Sequence, residues 1–159
     1  MVISGAAGGV GLAGIDIAKD KGAYVVALAS SQEKRELCLK LGADEALDYT
    51  SIDIKKTLKT YNNNLGVDVI MDQVGGDFSE PALRALKRLG RFLVIGFASG
   101  AIPKIPLNLP LLKECSIAGV FWGGAFRMFD QSQFIKNNQD IITKIETGNY
   151  NPVVYKTLD

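Results

Sequence analysis

Apolar runs of strand character alternate with stretches of helical period along the chain, and glycines or serine-rich turns fall at the changeovers. That order predicts an α/β domain. Val2-Ile3 opens a short β-branched strand that feeds directly into Ser4-Gly5-Ala6-Ala7-Gly8-Gly9-Val10-Gly11. A helix from about Gly9 to Lys21 follows, with Val10, Ala13, Ile17 and Ala18 as its apolar stripe and Gly22 as its stop. Tyr24 to Leu28 reads as the second strand. Ser30 or Ser31 caps a helix with Leu37, Cys38 and Leu41 inward, and a third strand falls near Glu45 to Asp48. Ser51 opens a helix presenting Ile54, Leu58 and Tyr61, which Asn62-Asn63-Asn64 breaks before a fourth strand, Val67 to Met71. The next helix is predicted from about Phe78 to Leu89, with Ala82, Leu83 and Leu86 inward and Gly90 closing it. Arg91 to Ile95 is then a continuous apolar strand, the pattern of a parallel sheet covered on both faces.

Pro103, Pro106 and Pro110 each remove a backbone donor, so Ser99 to Lys113 is expected as one long extended connection. Ser116 to Trp122 reads as a sixth strand, and Gln131 to Thr147 as a helix with Phe134, Ile141, Ile142 and Ile145 inward. Asn151 to Asp159 begins another extended piece that closes nothing. The fold expected is a Rossmann-type sheet of six parallel strands in the order 3-2-1-4-5-6 with helices on both faces. At 159 residues the chain supports one domain with a good core, and it is short for a dinucleotide domain plus a full substrate domain.

Eighteen basic against seventeen acidic side chains give no global field favouring nucleic acid or an anionic membrane, so small or local partners are expected. No apolar run reaches the roughly 18 residues of a spanning helix, and no basic segment precedes the first strand. A soluble intracellular protein, cytoplasmic or mitochondrial, is the expectation. Cys38 and Cys115 stand far apart and histidine is absent, so neither a disulfide framework nor a zinc site can be drawn, and both thiols read as core residues.

The candidate chemistry begins at Ala6-x-Gly8-x-x-Gly11, the dinucleotide fingerprint with alanine in its first position. Gly8 would let backbone approach a pyrophosphate, Gly11 would let helix and strand lie close, and the helix N-terminus supplies N–H groups and partial positive charge. The same residues also suit a tight strand-to-helix turn with no ligand. At the end of the second strand, where an acid would accept from a ribose 2′-hydroxyl, stand Ser30, Ser31, Lys34 and Arg35. Hydroxyls followed by cations suit a 2′-phosphate. Alternatively the serines are caps and the cations, diluted by Glu33, a solvated helix face. Val74-Gly75-Gly76 and Gly96-Phe97-Ala98-Ser99-Gly100 fall at the ends of strands four and five, where ligands of open parallel sheets lie. Val74 and Phe97 are candidate apolar walls there, or both segments are ordinary turns.

Taken in order, Ala6 to Gly11, Leu41-Gly42-Ala43-Asp44, Asp72-Gln73-Val74-Gly75-Gly76, Gly90 to Gly100, Pro103 to Leu112 and Gly119-Val120-Phe121-Trp122-Gly123 resemble the cofactor domain of the zinc-independent quinone oxidoreductases, in the medium-chain dehydrogenase/reductase superfamily. The likeness covers almost the whole chain. It implies an NADP-binding domain of an NADPH-dependent enzyme acting on a quinone or enone without a metal. Ala7, Gly8, Gly9 and Val10 would face the pyrophosphate, and Ser30, Lys34 and Tyr49 the 2′-phosphate. Val74, Gly75, Ile95, Gly96 and Phe97 would approach the ribose and nicotinamide, with Phe121 and Trp122 as further candidates. The N-terminal GroES-like catalytic domain of that family and its final helix and strand are not found in this chain. Catalytic residues are therefore unassigned, and the chain alone is expected to reduce nothing at a useful rate. An enoyl reductase acting on unsaturated thioesters and a non-catalytic NADPH-binding or redox-sensing module are the alternative readings. The sixth strand, uncharged at an expected sheet edge, invites pairing. Related enzymes pair this strand across a two-fold axis, so a homodimer through residues 116–121 is expected, with Ala118 and Val120 near the axis. Coverage of that edge by Pro103 to Lys113 would instead leave a monomer.

Overall fold

The computed structural model describes residues 1–154 and 157, without the side chains of 125–127. The chain divides into two compact units, residues 1–119 and 120–159. In the first, β1 (Val2–Ile3), β2 (Val26–Leu28), β3 (Glu45–Leu47), β4 (Val67–Asp72), β5 (Leu86–Val94) and β6 (Ser116–Gly119) form one sheet. All of its pairings are parallel, and its order is β3-β2-β1-β4-β5-β6. The Rossmann order read from the sequence is the order observed.

Alternation along the strands divides the core into two layers, because successive side chains leave opposite faces. Val2, Val26, Leu28 and Ile70 enter one layer with Leu58, Phe78, Leu83 and Phe92. Ile3, Val25 and Ala27 enter the other with Ile15, Ala18, Cys38 and Ala43. The helices supplying these partners are α1 (Gly9–Asp20), α2 (Gln32–Lys40), α3 (Ile54–Lys59) and α5 (Ser79–Ala85), with α4 (Tyr61–Asn64) only an irregular turn. Cys38 is fully buried and Cys115 packs beside the first layer, both as free thiols.

Several boundaries differ from expectation for identifiable reasons. The buried face of α1 is Gly11, Ile15 and Ala18, while Val10 and Ile17 face outward. Gly11 sets this rotation, since a Cβ on it would lie 2.5 Å from the Ala6 carbonyl oxygen. Asp53 rather than Ser51 caps α3, its carboxylate accepting from Lys56 N–H. The helix expected to reach Leu89 stops at Ala85, because Leu86 turns extended, buries itself and pairs with Val67 as the start of β5. The residues between this pairing and Arg91 are taken up in a register shift, with Leu89 in the left-handed region. The proline-rich stretch is not extended throughout: α6 (Asn108–Lys113) contains Pro110 within its first turn, where a backbone donor has no intrahelical partner to lose.

In the second unit, Val120 and Phe121, where the sixth strand was expected to continue, take no regular structure; Trp122–Phe126 form a π-helical turn, followed by α7 (Arg127–Phe129) and α8 (Gln131–Glu146). Of the stripe expected to face inward on α8, Phe134 is half-buried while Ile141, Ile142 and Ile145 are exposed. Residues 151–154 take no regular structure, and Tyr155, Lys156, Leu158 and Asp159 of the expected extended piece lie outside the described residues. Among the described residues no helix is long and apolar enough to cross a membrane.

The contact between Gly11 and Ala6 is backbone against backbone, so an added methyl must push α1 away from β1. Gly11→Ala is expected to lower unfolding free energy by about 1–3 kcal/mol. Gly9→Ala, whose Cβ would meet nothing within 4 Å, should lose none. Urea denaturation of both variants checks this; matching midpoints would show that the approach is not tight.

Candidate functional site

The site is built by the turns beyond the carboxyl ends of β1 to β5, where the chain folds back on either side of β1. From β1 the backbone passes through Gly5, at a positive φ of 57°, and enters α1 at Gly8. This helix has no side-chain cap and no acid in its first turn, whereas α2, α3 and α8 are capped by Ser31, Asp53 and Asp130. Gly8, Gly9 and Val10 are all exposed there. An uncapped helix start lined by open glycines is a donor set suited to a diphosphate.

Beside it lies a cleft of about 180 Å³ lined by Gly5, Ala7, Gly8, Ala29, Ser30, Lys34 and Tyr49. Ser31 turns out to be the cap of α2, its Oγ accepting from Lys34 N–H at 3.3 Å, which leaves Ser30 exposed at the cleft. The two cations separate as well. Arg35 pairs with Asp48 at 3.2 Å and donates to the Ala29 carbonyl at 3.3 Å, so it is held in the framework. Lys34 is exposed, with no ion-pair partner among the described residues.

Tyr49 belongs also to a larger cleft of about 560 Å³, with Thr50, Ile54, Val74, Gly75, Asp77, Phe78, Ala98 and Ser99. Gly75 is required in this wall: its φ is 70°, and a Cβ there would come within 2.8 Å of Phe97 Cδ1. Ile95 and Gly96 hold the neighbouring turn to β4 by donating their N–H groups to the Asp72 carbonyl at 2.8 and 3.3 Å. Phe97 lines a third, apolar cavity of about 170 Å³ with Leu83, Phe92, Val94, Ile102 and Ile117. Thus Ala7, Gly8, Ser30, Lys34 and Tyr49 come together, Val74 and Gly75 adjoin them through Tyr49, and Gly9 and Val10 stand at the helix start. Phe121 and Trp122 belong to the second unit, where Trp122 packs on Phe134 with ring centroids 5.5 Å apart.

Sequence reading gave no role to Asp72, which ends β4 at 2% exposure. Its Oδ1 accepts from Ser4 Oγ at 2.7 Å, Val74 N–H at 3.0 Å and Gly75 N–H at 3.1 Å, and its Oδ2 from Ser79 Oγ at 2.6 Å. The available signal was an acid closing an otherwise apolar parallel strand immediately before a glycine turn. Among the described residues no group of three or more His, Cys, Asp or Glu side chains could hold a metal ion.

Comparison with known proteins places these features in a family. A family model described as zinc-binding dehydrogenase matches residues 9–137. Quinone oxidoreductase-like protein 2 of Bos taurus is 41% identical over 124 residues, covering 77% of this chain and 36% of that protein. The chain thus spans about a third of that relative. The structure of Escherichia coli quinone oxidoreductase complexed with NADPH superposes with a TM-score of 0.84 at 27% identity, covering 96% of this chain and 47% of that one. The nucleotide-binding subdomain of an enoylreductase domain from Mycobacterium tuberculosis gives 0.78 at 26% identity, covering 96% and 85%. The described residues do not fit the zinc in the family's description.

Asp48 stands next in the chain to Tyr49 and Thr50 of the cleft wall. The Thr50 hydroxyl, donating at 2.6 Å, is the leading cause holding its carboxyl below the ordinary value, followed by the Thr50 N–H at 2.9 Å, with Arg35 adding to both. A lowered folded-state pKa contributes stability that is complete above the unfolded value and lost as pH falls through the folded one. Side-chain NMR is expected to give Asp48 a midpoint below that of an ordinary aspartate, and Thr50→Ala should raise it. An unmoved midpoint would show that Thr50 is not the cause.

Proposed function

The chain belongs to the zinc-binding dehydrogenase family, in the quinone oxidoreductase-like group of the medium-chain dehydrogenases and reductases, and from this we propose that it is the NADPH-holding part of a quinone or enone reductase. The observation that carries the cofactor preference is the separation of Lys34 from Arg35. One cation is tied into the framework by Asp48, and the other stands exposed beside Ser30 and Tyr49 at a cleft with no acid in its lining. A ribose 2′-phosphate finds a cation and hydroxyl donors there, whereas a free 2′-hydroxyl finds no carboxylate.

The uncapped start of α1 then receives the pyrophosphate through the N–H groups of Gly9 and Val10, with Ala7 and Gly8 keeping side chains out of its way. Val74, Gly75, Ile95, Gly96 and Phe97 form the wall toward the nicotinamide, and their turns orient one ring face toward the substrate. When bound, the dinucleotide supplies a hydride to an electron-poor carbon. The substrate-positioning residues of such an enzyme are proposed to lie outside these 159 residues, so the chain by itself binds cofactor without useful turnover. The enoyl reductase reading has its own support in the Mycobacterium tuberculosis neighbour, which the chain matches over 85% of that subdomain. Assays of quinones against unsaturated thioesters on the longer enzyme separate the two.

Among the described residues β6 has β5 alone as a neighbour in the sheet, and Ser116, Ile117 and Gly119 on it are exposed. We read that free edge as the pairing surface of a homodimer. Light scattering is expected to show a dimer, and Ala118→Pro, which removes a strand donor, should shift it toward monomer. A monomeric parent, or a dimer unmoved by the proline, rules the interface out.

The cofactor reading is tested by calorimetry. NADPH should bind more tightly than NADH, and Lys34→Glu should reverse the order, the lost charge-assisted contact being worth about 1.5–3 kcal/mol. Equal affinities in the parent with no change in the variant would reject the 2′-phosphate assignment.

A further inference from the structure

Three segments, the glycine-rich turn, the Val74-Gly75 turn and the start of α5, meet at the buried carboxylate of Asp72. Ser4 closes β1 and begins the glycine-rich turn, Asp72 closes β4, and Ser79 opens α5, and the three are no more than 2% exposed. Besides donating to Asp72, the Ser4 hydroxyl accepts from Gln73 N–H at 2.9 Å and Val74 N–H at 3.3 Å. Gln73 returns the tie, its Nε2 donating to the Ser4 carbonyl at 2.9 Å. The turn after β5 hangs on the same framework, with Ala98 N–H donating to the Gln73 carbonyl and Ser99 N–H to the Val74 carbonyl, each at 2.9 Å. The glycine-rich turn, which faces the pyrophosphate of the expected ligand, and the Val74-Gly75 turn, which faces its nicotinamide half, are thus locked to each other through Asp72 Oδ1.

We propose that Asp72 is a positioning residue that sets the Val74-Gly75 peptides, and with them the Phe97 turn, against the glycine-rich turn, and so fixes the nicotinamide half of the cofactor rather than its adenosine half. This rests on the cofactor reading above. The physical basis is that Gly75 has the freedom of a glycine at positive φ, so its peptides need an acceptor to hold one orientation. Oδ1 receives both N–H groups and leaves their carbonyls directed elsewhere, Val74 to Ser99. Groups that orient a binding wall from behind are worth as much as the wall when the ligand must be held in one pose.

The test compares NADPH with adenosine 2′,5′-bisphosphate, which carries the adenosine half alone, by calorimetry on the whole chain. Asp72→Ala is expected to weaken NADPH by about tenfold or more, with the bisphosphate changed less than about twofold. Asp72→Asn should restore NADPH binding, because its amide oxygen can accept from Val74 and Gly75 while its amide nitrogen donates to Ser79. Should Asp72→Ala fail to fold, Ser4→Ala carries the same test, since it removes a partner of Oδ1 and should shift the ratio of the two affinities in the same direction. Ser79→Ala acts on Oδ2 alone and should keep the parent ratio, which a general loss of stability would not predict. A parent that binds neither ligand overturns the cofactor reading and this inference with it. A parent that binds both, with variants that weaken both equally or leave the ratio unmoved, overturns this inference alone.

Discussion

A strand of two residues carries the centre of this fold. Val2 and Ile3 are fully buried, one in each core layer, and hydrogen-bond to β2 on one side and β4 on the other. Parallel neighbours on both sides require crossovers that leave β1 in opposite directions, so a crevice opens beyond its carboxyl end. Everything that follows β1 must leave through that crevice without filling it. The glycines after Ser4 meet this demand, and the helix they lead into is seated by the absence of a side chain at Gly11. A buried strand this short gains little by itself. Its position depends on the two cores, and the cores depend on the alternation that separates Val25 and Ala27 from Val26 and Leu28.

The same crevice explains why a buried carboxylate is tolerated at the tip of β4. Burying one without partners is costly, and the cost is offset only when donors satisfy its oxygens. Ser4 and Ser79 come from distant points of the chain, and the Val74 and Gly75 N–H groups from the following turn. The polar cluster therefore forms as a unit with the fold, and it stands next to the clefts beyond the carboxyl ends of the strands.

Much of this was legible in the residue pattern because parallel α/β order is local: each strand, turn and helix announces itself by period and by a stop. The glycine turn follows from that, and the strand order from the dinucleotide-domain likeness that this turn and the later glycine segments carry. Tertiary partners decided what local pattern left open. Leu86 has helical spacing with Ala82 and Leu83, yet Val67 on the neighbouring strand claims it for β5. Pro110 reads as a helix breaker until it falls in a first turn, where it is harmless. Of Lys34 and Arg35, adjacent and both cationic, only geometry tells which is spent on Asp48. Ser30 and Ser31 likewise became distinguishable once the start of α2 was seen. Asp72 was the hardest to value, because its partners lie 68 residues upstream and 7 downstream.

The bare start of α1 has an energetic consequence for the chain as an equilibrium object. With glycine as its N-cap, the helix forgoes roughly a few tenths of a kcal/mol that Ser, Thr, Asp or Asn would supply at that position. Any of those residues at Gly8 would place its own oxygen where an anion is otherwise received. On the proposed cofactor reading, a bound dianion would supply stability at this turn, and the folded population would then depend on how much of that anion surrounds the protein. The glycine that opens the site is, in this sense, also the point at which the folding equilibrium is coupled to the composition of the solution.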